Sequence, residues 1–275
     1  MSGAMAKRRA DPSLLLFGLI ALVLVVLVVL PLAWLAWYSV TNDAGALSLD
    51  NFRQIATDPA LLKPMRVTLV IAVASAAGAA AVAVPLAWLV ARTDVPWRGA
   101  IRALVTASFV TPPFLGAIAW ELLAAPNSGE LNRFARWLFH MGEFDYVFDI
   151  YTVTGVAFCI ACYTFPYVFT LLANALENIP ADIEDASHIL GGGGWQTARR
   201  ITLPLILPAL LAGTLVAFLQ ALTLFGTPAI LALPSGFHTI TTKIWSLFQY
   251  PPQTHLAAAL ALPLLGVTLV VLQVQ

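Results

Sequence analysis

Residues 14–37 read LLLFGLIALVLVVLVVLPLAWLAW, an unbroken apolar run without a charged side chain. Between Leu14 and Leu32, sixteen residues are Leu, Ile, Val or Phe. At about −0.3 to −0.6 kcal/mol each on an insertion scale, these favour entry into a bilayer by roughly 5–10 kcal/mol. Lys7, Arg8 and Arg9 precede the run, as they would in a secretory signal. A signal core is only about 7–15 residues long and ends at a small-x-small cleavage site. This run is longer, and it ends in Trp34, Trp37 and Tyr38, rings suited to a membrane–water interface. It reads as an uncleaved first span.

Working outward, further apolar runs at 67–90, 103–123, 153–175, 203–225 and 256–274 each approach the ~20 residues that cross a ~30 Å hydrocarbon core. The runs are continuous and lack the two-residue alternation of a membrane barrel. The expected fold class is therefore all-α, a polytopic membrane protein of about six transmembrane helices in the lipid bilayer. Composition agrees: 60% of the 275 residues are hydrophobic and 10% are charged, against roughly 25% charged in soluble domains. Lys+Arg and Asp+Glu are equal at 14 each, so no charge excess points to nucleic acid.

Cations set the expected orientation. With the N-terminus inside, Lys7, Arg8, Arg9, Arg92, Arg98, Arg102, Arg199 and Arg200 lie in short cytoplasmic segments close to helix ends. Arg53, Lys63, Arg66, Arg133, Arg136 and Lys243 fall on the other side. The bias is modest and favours N-in and C-in. The outer segments are long, and in one of them 130–140 reads as a short amphipathic helix with Leu131, Phe134, Trp137 and Leu138 at helical spacing.

The longest inner loop, 176–203, is the informative one. Pro180 suits a first helical turn, and Asp182, Glu184 and Asp185 sit at the positive end of the helix dipole. Ile183, Ala186, Ile189 and Leu190 share one face. The run Gly191–Gly194 stops this helix and permits a left-handed turn, after which a second helix starts at Trp195 and enters the membrane.

Asp185-Ala186-Ser187, then Gly191, then Ile201-Thr202-Leu203-Pro204 resembles the cytoplasmic loop of permease subunits of binding-protein-dependent ABC importers. The pattern there is E-A-A, three residues, G, nine residues, I, one residue, L-P. Two leading positions depart from it, Asp for Glu and Ser for Ala, and Glu184 offers a carboxylate next door. The resemblance spans most of the chain. It implies a type I (MetI-like) importer transmembrane domain over 14–275, after a cytoplasmic N-terminus of 1–13, in a bacterial inner membrane. Phe225-Gly226-Thr227-Pro228 is similar to a segment of the ferric-iron permease group, so ferric iron is the expected solute. Phosphonate, polyamine, thiamine and oxyanion carriers are also related.

The resemblance further implies that the loop is a coupling helix docking on a cytoplasmic ABC ATPase dimer. Glu184, Asp185, Ala186, Ser187, Gly191, Ile201, Leu203 and Pro204 are its expected residues, and a periplasmic substrate-binding protein delivers the solute. ATP is expected on that partner, with no cofactor in this chain, because no G-x-x-x-x-G-K-[ST] occurs. One such loop forms half a path, so a second permease half, fused or separate, is expected. The ferric-iron resemblance favours continuation past Gln275, and span six has no cation after it.

Other candidates carry less. Cys159 and Cys162 have metal or redox spacing but lie in a span without a nearby His or carboxylate, which favours small packing residues. His140, His188, His238 and His255 are dispersed, so no metal site is expected. No constellation suggests an enzyme. Glu121 reads as interfacial or as the outer mouth of a path. Gln220 and Thr223 either bond between helices or face the path. A secondary ion-coupled transporter is the alternative class, and it would need ionisable residues that the spans almost lack.

Overall fold

The computed structural model describes residues 12–274. Lys7, Arg8 and Arg9 of the expected N-terminal segment 1–13, and Gln275, lie outside these residues. All regular elements described are helical.

The core of the bundle is a trio of helices: Pro59–Arg92, Val153–Glu177 and the continuous stretch Gly194–Thr223. The first is 34 residues long, about 50 Å at 1.5 Å per residue, so it overruns the hydrocarbon core. Ala72, Ala76, Ala79, Ala83 and Ala87 make a fully or almost fully buried stripe along it. Between membrane helices the hydrophobic effect gives little drive, and small residues let backbones approach closely enough for dispersion and hydrogen bonds to hold them. Ser75 in this stripe donates to Ala157 O at 3.0 Å. A Cβ on Gly213 would stand 2.9 Å from Val168 Cα, so that crossing needs glycine.

The first span, Leu16–Ser39, is different. Its apolar stretch is unburied, and it meets the bundle chiefly near its C-terminal end, against the last helix, Thr254–Val274. There the Tyr38 and His255 rings stack at 4.8 Å, and His255 Nδ1 lies 3.0 Å from Tyr38 O. Leu and Val dominate its middle, 22–32, where no Gly, Ala or Ser offers a seam for close packing, and this suits lipid contact.

The expected third span, 103–123, is not one helix. Arg98–Ser108 and Pro113–Ala124 meet at 103°. Pro112 and Pro113 cause the break: neither can donate a ladder hydrogen bond, and proline disfavours helix in the residue before it. The pair still crosses the bundle. Arg102 bonds Glu177 at the end of the fourth span, whereas the carbonyl of Ala124 accepts from Ile150 N (3.3 Å), just before that span begins. The described residues thus hold five helices long and apolar enough to cross a membrane, and six candidate spans when the bent pair is taken as one. The carbonyl of Pro113, in the first turn after the break, also accepts from Thr227 Oγ1 at 3.3 Å, and Gly226 stands so close that a Cβ would lie 3.0 Å from Phe114 Cβ. The Phe225-Gly226-Thr227-Pro228 segment thus packs against the start of the second arm.

On the side expected to be outer, the amphipathic helix forms as Glu130–Phe139. Asn132 anchors it with no exposure at all. Its amide donates to Ala125 O and Phe148 O, and its carbonyl accepts from Val147 N and Phe148 N, all at 2.8–2.9 Å.

Candidate functional site: the inner loop and the exposed face of the fifth span

The inner loop folds as helix, break and helix, as expected. Ala181–Ile189 has Asp182 and Glu184 in its first turn. Gly191 follows with φ +86°, and Gly192 N–H reaches back to Ser187 O at 2.8 Å, the six-to-one bond of a Schellman close. Across the break, Ser187 Oγ and Thr197 Oγ1 lie 2.8 Å apart and tie the two arms together. The chain then passes through a π-helical turn, Ala198–Thr202, in which Leu203 N–H bonds Ala198 O five residues back. Pro204 and Pro208 withdraw two donors just beyond it.

This loop leaves a contiguous set of large apolar side chains uncovered. Ile189 and Leu190 are 85% and 87% exposed, Trp195 is 80% exposed and Ile183 41%. Asp185 and Ala186 are exposed beside them. Patches of this kind mark interaction surfaces. Ile201, Leu203 and Pro204 instead form the helical entrance to the fifth span.

Glu184 is placed differently from its neighbour Asp185. Its Oε1 accepts from Thr202 Oγ1 at 2.8 Å and lies 3.2 Å from Arg92 Nη2, at the inner end of the second span. It is therefore no spare for Asp185. Arg102 holds Glu177 by a two-pronged contact, with Nη1 to Oε2 at 3.1 Å. Arg92 and Thr202 were missed in the sequence, where only the position of Arg92 at a span end hinted at a role.

The three candidate path residues do not share one site. Glu121 is half-buried and accepts from Tyr151 Oη at 2.7 Å. Desolvation, with help from the hydrogen bond and charge of Glu121, pushes the Tyr151 phenol up to about 12, so it stays a donor. Gln220 is exposed on the fifth span and donates to Tyr167 Oη at 3.1 Å; the Tyr167 ring meets Phe109 edge-on at 4.9 Å, in the broken span. Thr223 is exposed nearby, its hydroxyl donating to Leu219 O at 2.9 Å. Gln220 and Thr223 both lie in the last turn of this helix, where exposed polar groups can face a cavity, a protein partner or the membrane interface. Cys159 and Cys162 are free thiols in the fourth span, and no group of three or more His, Cys, Asp and Glu gathers among the described residues.

Residues 83–275 match the family of binding-protein-dependent transport system inner membrane components. The chain belongs to that family. Among relatives of this permease, the sulfate transport system permease protein CysT of Escherichia coli K12 is 26% identical over 219 residues, 78% of this chain and 76% of that one. The CysW permease of Synechococcus elongatus is 29% identical over 240 residues, covering 85% and 79%. The molybdenum permease ModB of E. coli K12 is 28% identical over 167 residues, covering 60% and 70%. A solved bacterial ABC transporter for alginate import shares the fold at TM-score 0.78, 17% identity and 94% and 93% coverage. The permease is thus a transport component rather than an enzyme. These relatives are named for sulfate and molybdenum, and they lend the ferric-iron expectation no support. Nor do they support the expected fusion.

Proposed function

We propose that this permease forms one half of the path of an ATP-driven importer for a tetrahedral oxyanion of the sulfate or molybdate class. The carrying observation is the uncovered apolar surface of Ile183, Ile189, Leu190 and Trp195. It lies beside the inner ends of the second, fourth and fifth spans and fits a groove on a cytoplasmic ATPase subunit. Asp185 and Ala186 border it, and Gly191 turns the chain away after it. A second permease subunit closes the path over Gln220, Tyr167 and Thr223, and a periplasmic binding protein loads it.

The substrate reading rests on the named relatives and on chemistry. Gln220, Tyr167 and Thr223 present neutral amide and hydroxyl groups, which can donate to an anion. The loop faces the cytoplasm in this reading; with the bent pair counted as one span, four crossings precede it and the N-terminus is then on the same side.

Uptake of labelled sulfate, molybdate and ferric citrate by the assembled importer tests the substrate. Oxyanion uptake without iron uptake is expected; iron uptake alone would reverse the assignment. Orientation is tested with single cysteines at two exposed positions, Glu143 and Gln196, in a background lacking Cys159 and Cys162. An impermeant thiol reagent should reach the first in intact cells and the second only after lysis.

A further inference from the structure

The geometry points to Glu184 and Arg92 as a positioning pair that makes the inner helix move as one body with the second and fifth spans. The inference rests on the coupling role proposed above. It assigns Glu184 a task inside the permease instead of at the ATPase surface.

Burial separates the carboxylates of this helix. The Glu184 and Arg92 side chains are only 22% and 16% exposed, whereas Asp182 and Asp185 on the same helix are exposed. A carboxylate meant for a partner's groove would be turned outward, as those two are. Glu184 turns inward, and one of its oxygens serves two segments: Arg92 Nη2 at 3.2 Å and Thr202 Oγ1 at 2.8 Å. Arg92 depends on it. Its Nε and Nη2 are buried and find no hydrogen-bond geometry with any described residue, so the charge of Glu184 is what compensates the guanidinium. Removing one member of such a pair leaves the other desolvated and unpaired.

The covalent route around the inner helix is loose by comparison. Gly191, Gly192 and Gly193 connect it to the fifth span, and Gly191 and Gly193 have open space around them. A push on Ile189 and Leu190 could be absorbed by rocking about these glycines. The Ser187–Thr197 contact resists this close to the pivot, but it is a single neutral hydrogen bond. Glu184 lies further along the helix, and its charged contact reaches two core spans at once. Thr202, 1% exposed, sits in the π-helical turn. Three segments distant in sequence, ending at 92, 184 and 202, therefore meet at one carboxylate oxygen.

The test uses the assembled importer with Cys159 and Cys162 replaced by alanine and a reporter cysteine at Gln220. The labelling rate by an impermeant thiol reagent is read without nucleotide and with ATP plus vanadate. The parent should change its rate several-fold. Glu184→Gln should keep the ATPase bound and hydrolysing but shrink the response to less than twofold, and the exchanged pair Arg92→Glu with Glu184→Arg should restore it. Bridging Arg92→Cys to Glu184→Cys with a short bifunctional thiol reagent should also preserve the nucleotide response, read here at a spin label in place of the Gln220 reporter. A full response in Glu184→Gln would overturn the pair. So would loss of the ATPase from Glu184→Gln, because that would place Glu184 at the ATPase contact, or loss of response on bridging. Ile189→Asp is the control for the coupling reading. If it keeps the ATPase, or if the parent shows no response, the coupling reading fails and the pair fails with it; if the control behaves and Glu184→Gln does not, only the pair fails.

Discussion

The outer segment around Glu130–Phe139 and the inner segment around Ala181–Ile189 are built alike, each a short helix between longer ones, and they differ in how they are finished. Outside, Asn132 is fully buried and uses both amide hydrogens and its carbonyl on four backbone partners. Arg136 adds contacts to the carbonyls of Pro126, Asn127 and Asp145. Phe134, Trp137 and Phe139 stay exposed there, as rings at a headgroup boundary do. Inside, Glu184 and Ser187 make the side-chain ties, and the apolar tip of the helix is left open. A segment closed by its own hydrogen bonds holds its shape alone. A segment with uncovered Ile and Leu beside a glycine pivot is open to a partner, as proposed above.

The largest effect expected from this contrast comes from charging the open tip. Ile189→Asp with Leu190→Asp should reduce ATPase retention more than tenfold in pull-down from detergent extracts, with normal membrane abundance, since both side chains touch little within the permease. Normal retention would break the contrast. On the closed side, Asn132→Leu should destabilise the outer segment by about 3 kcal/mol or more, because several buried backbone groups lose their partner. A thermal melt in detergent should show it as a lower Tm, while ATPase retention stays unchanged.

A smaller effect is expected at Asp185. Asp185→Ala should lower uptake a few-fold without loss of assembly, and Glu184 should not compensate, being engaged with Arg92 and Thr202. Uptake equal to the parent would return Asp185 to an ordinary solvated position. Gly191→Ala should cost only about 1–2 kcal/mol of local strain, since φ is +86° but the added Cβ meets nothing within 4 Å. Gly191→Trp should fold equally well and lose the ATPase, which separates backbone strain from obstruction of docking.

The smallest expected effect concerns pH. Burial, reinforced by Lys243, lowers the His238 imidazole from its ordinary value of 6.5. Its Nδ1 is buried without a hydrogen-bond partner. A lowered value means that the unfolded chain binds the proton more readily. The stability contribution is therefore full above pH 6.5 and is lost as pH falls below it. Tm measured from pH 7.5 to 5 should decline, and His238→Gln should flatten part of that slope.

Some of this was legible in residue order alone. Span number, the amphipathic outer helix and the helix–glycine–helix loop are local matters of apolar run length, capping and glycine, and the spacing of Asp185, Gly191, Ile201 and Pro204 was enough to resemble the right family. The third span was misread because hydropathy averages over a window and is blind to two adjacent prolines that lack donors. The ferric-iron expectation draws no support from Phe225-Gly226-Thr227-Pro228, which packs against Pro113 and Phe114, a task indifferent to the solute.

What the sequence by itself determined is membrane residence, the helical class and the existence of an inner loop with an apolar face, because these depend on neighbours within a few turns. Tertiary structure decided which carboxylate of Glu184 and Asp185 faces outward, what Arg92 pairs with, and that Glu121 answers to Tyr151 while Gln220 answers to Tyr167. Those pairings join residues tens of positions apart. Their choice depends on how the small-residue seam between the second, fourth and fifth spans sets each helix's rotation and depth.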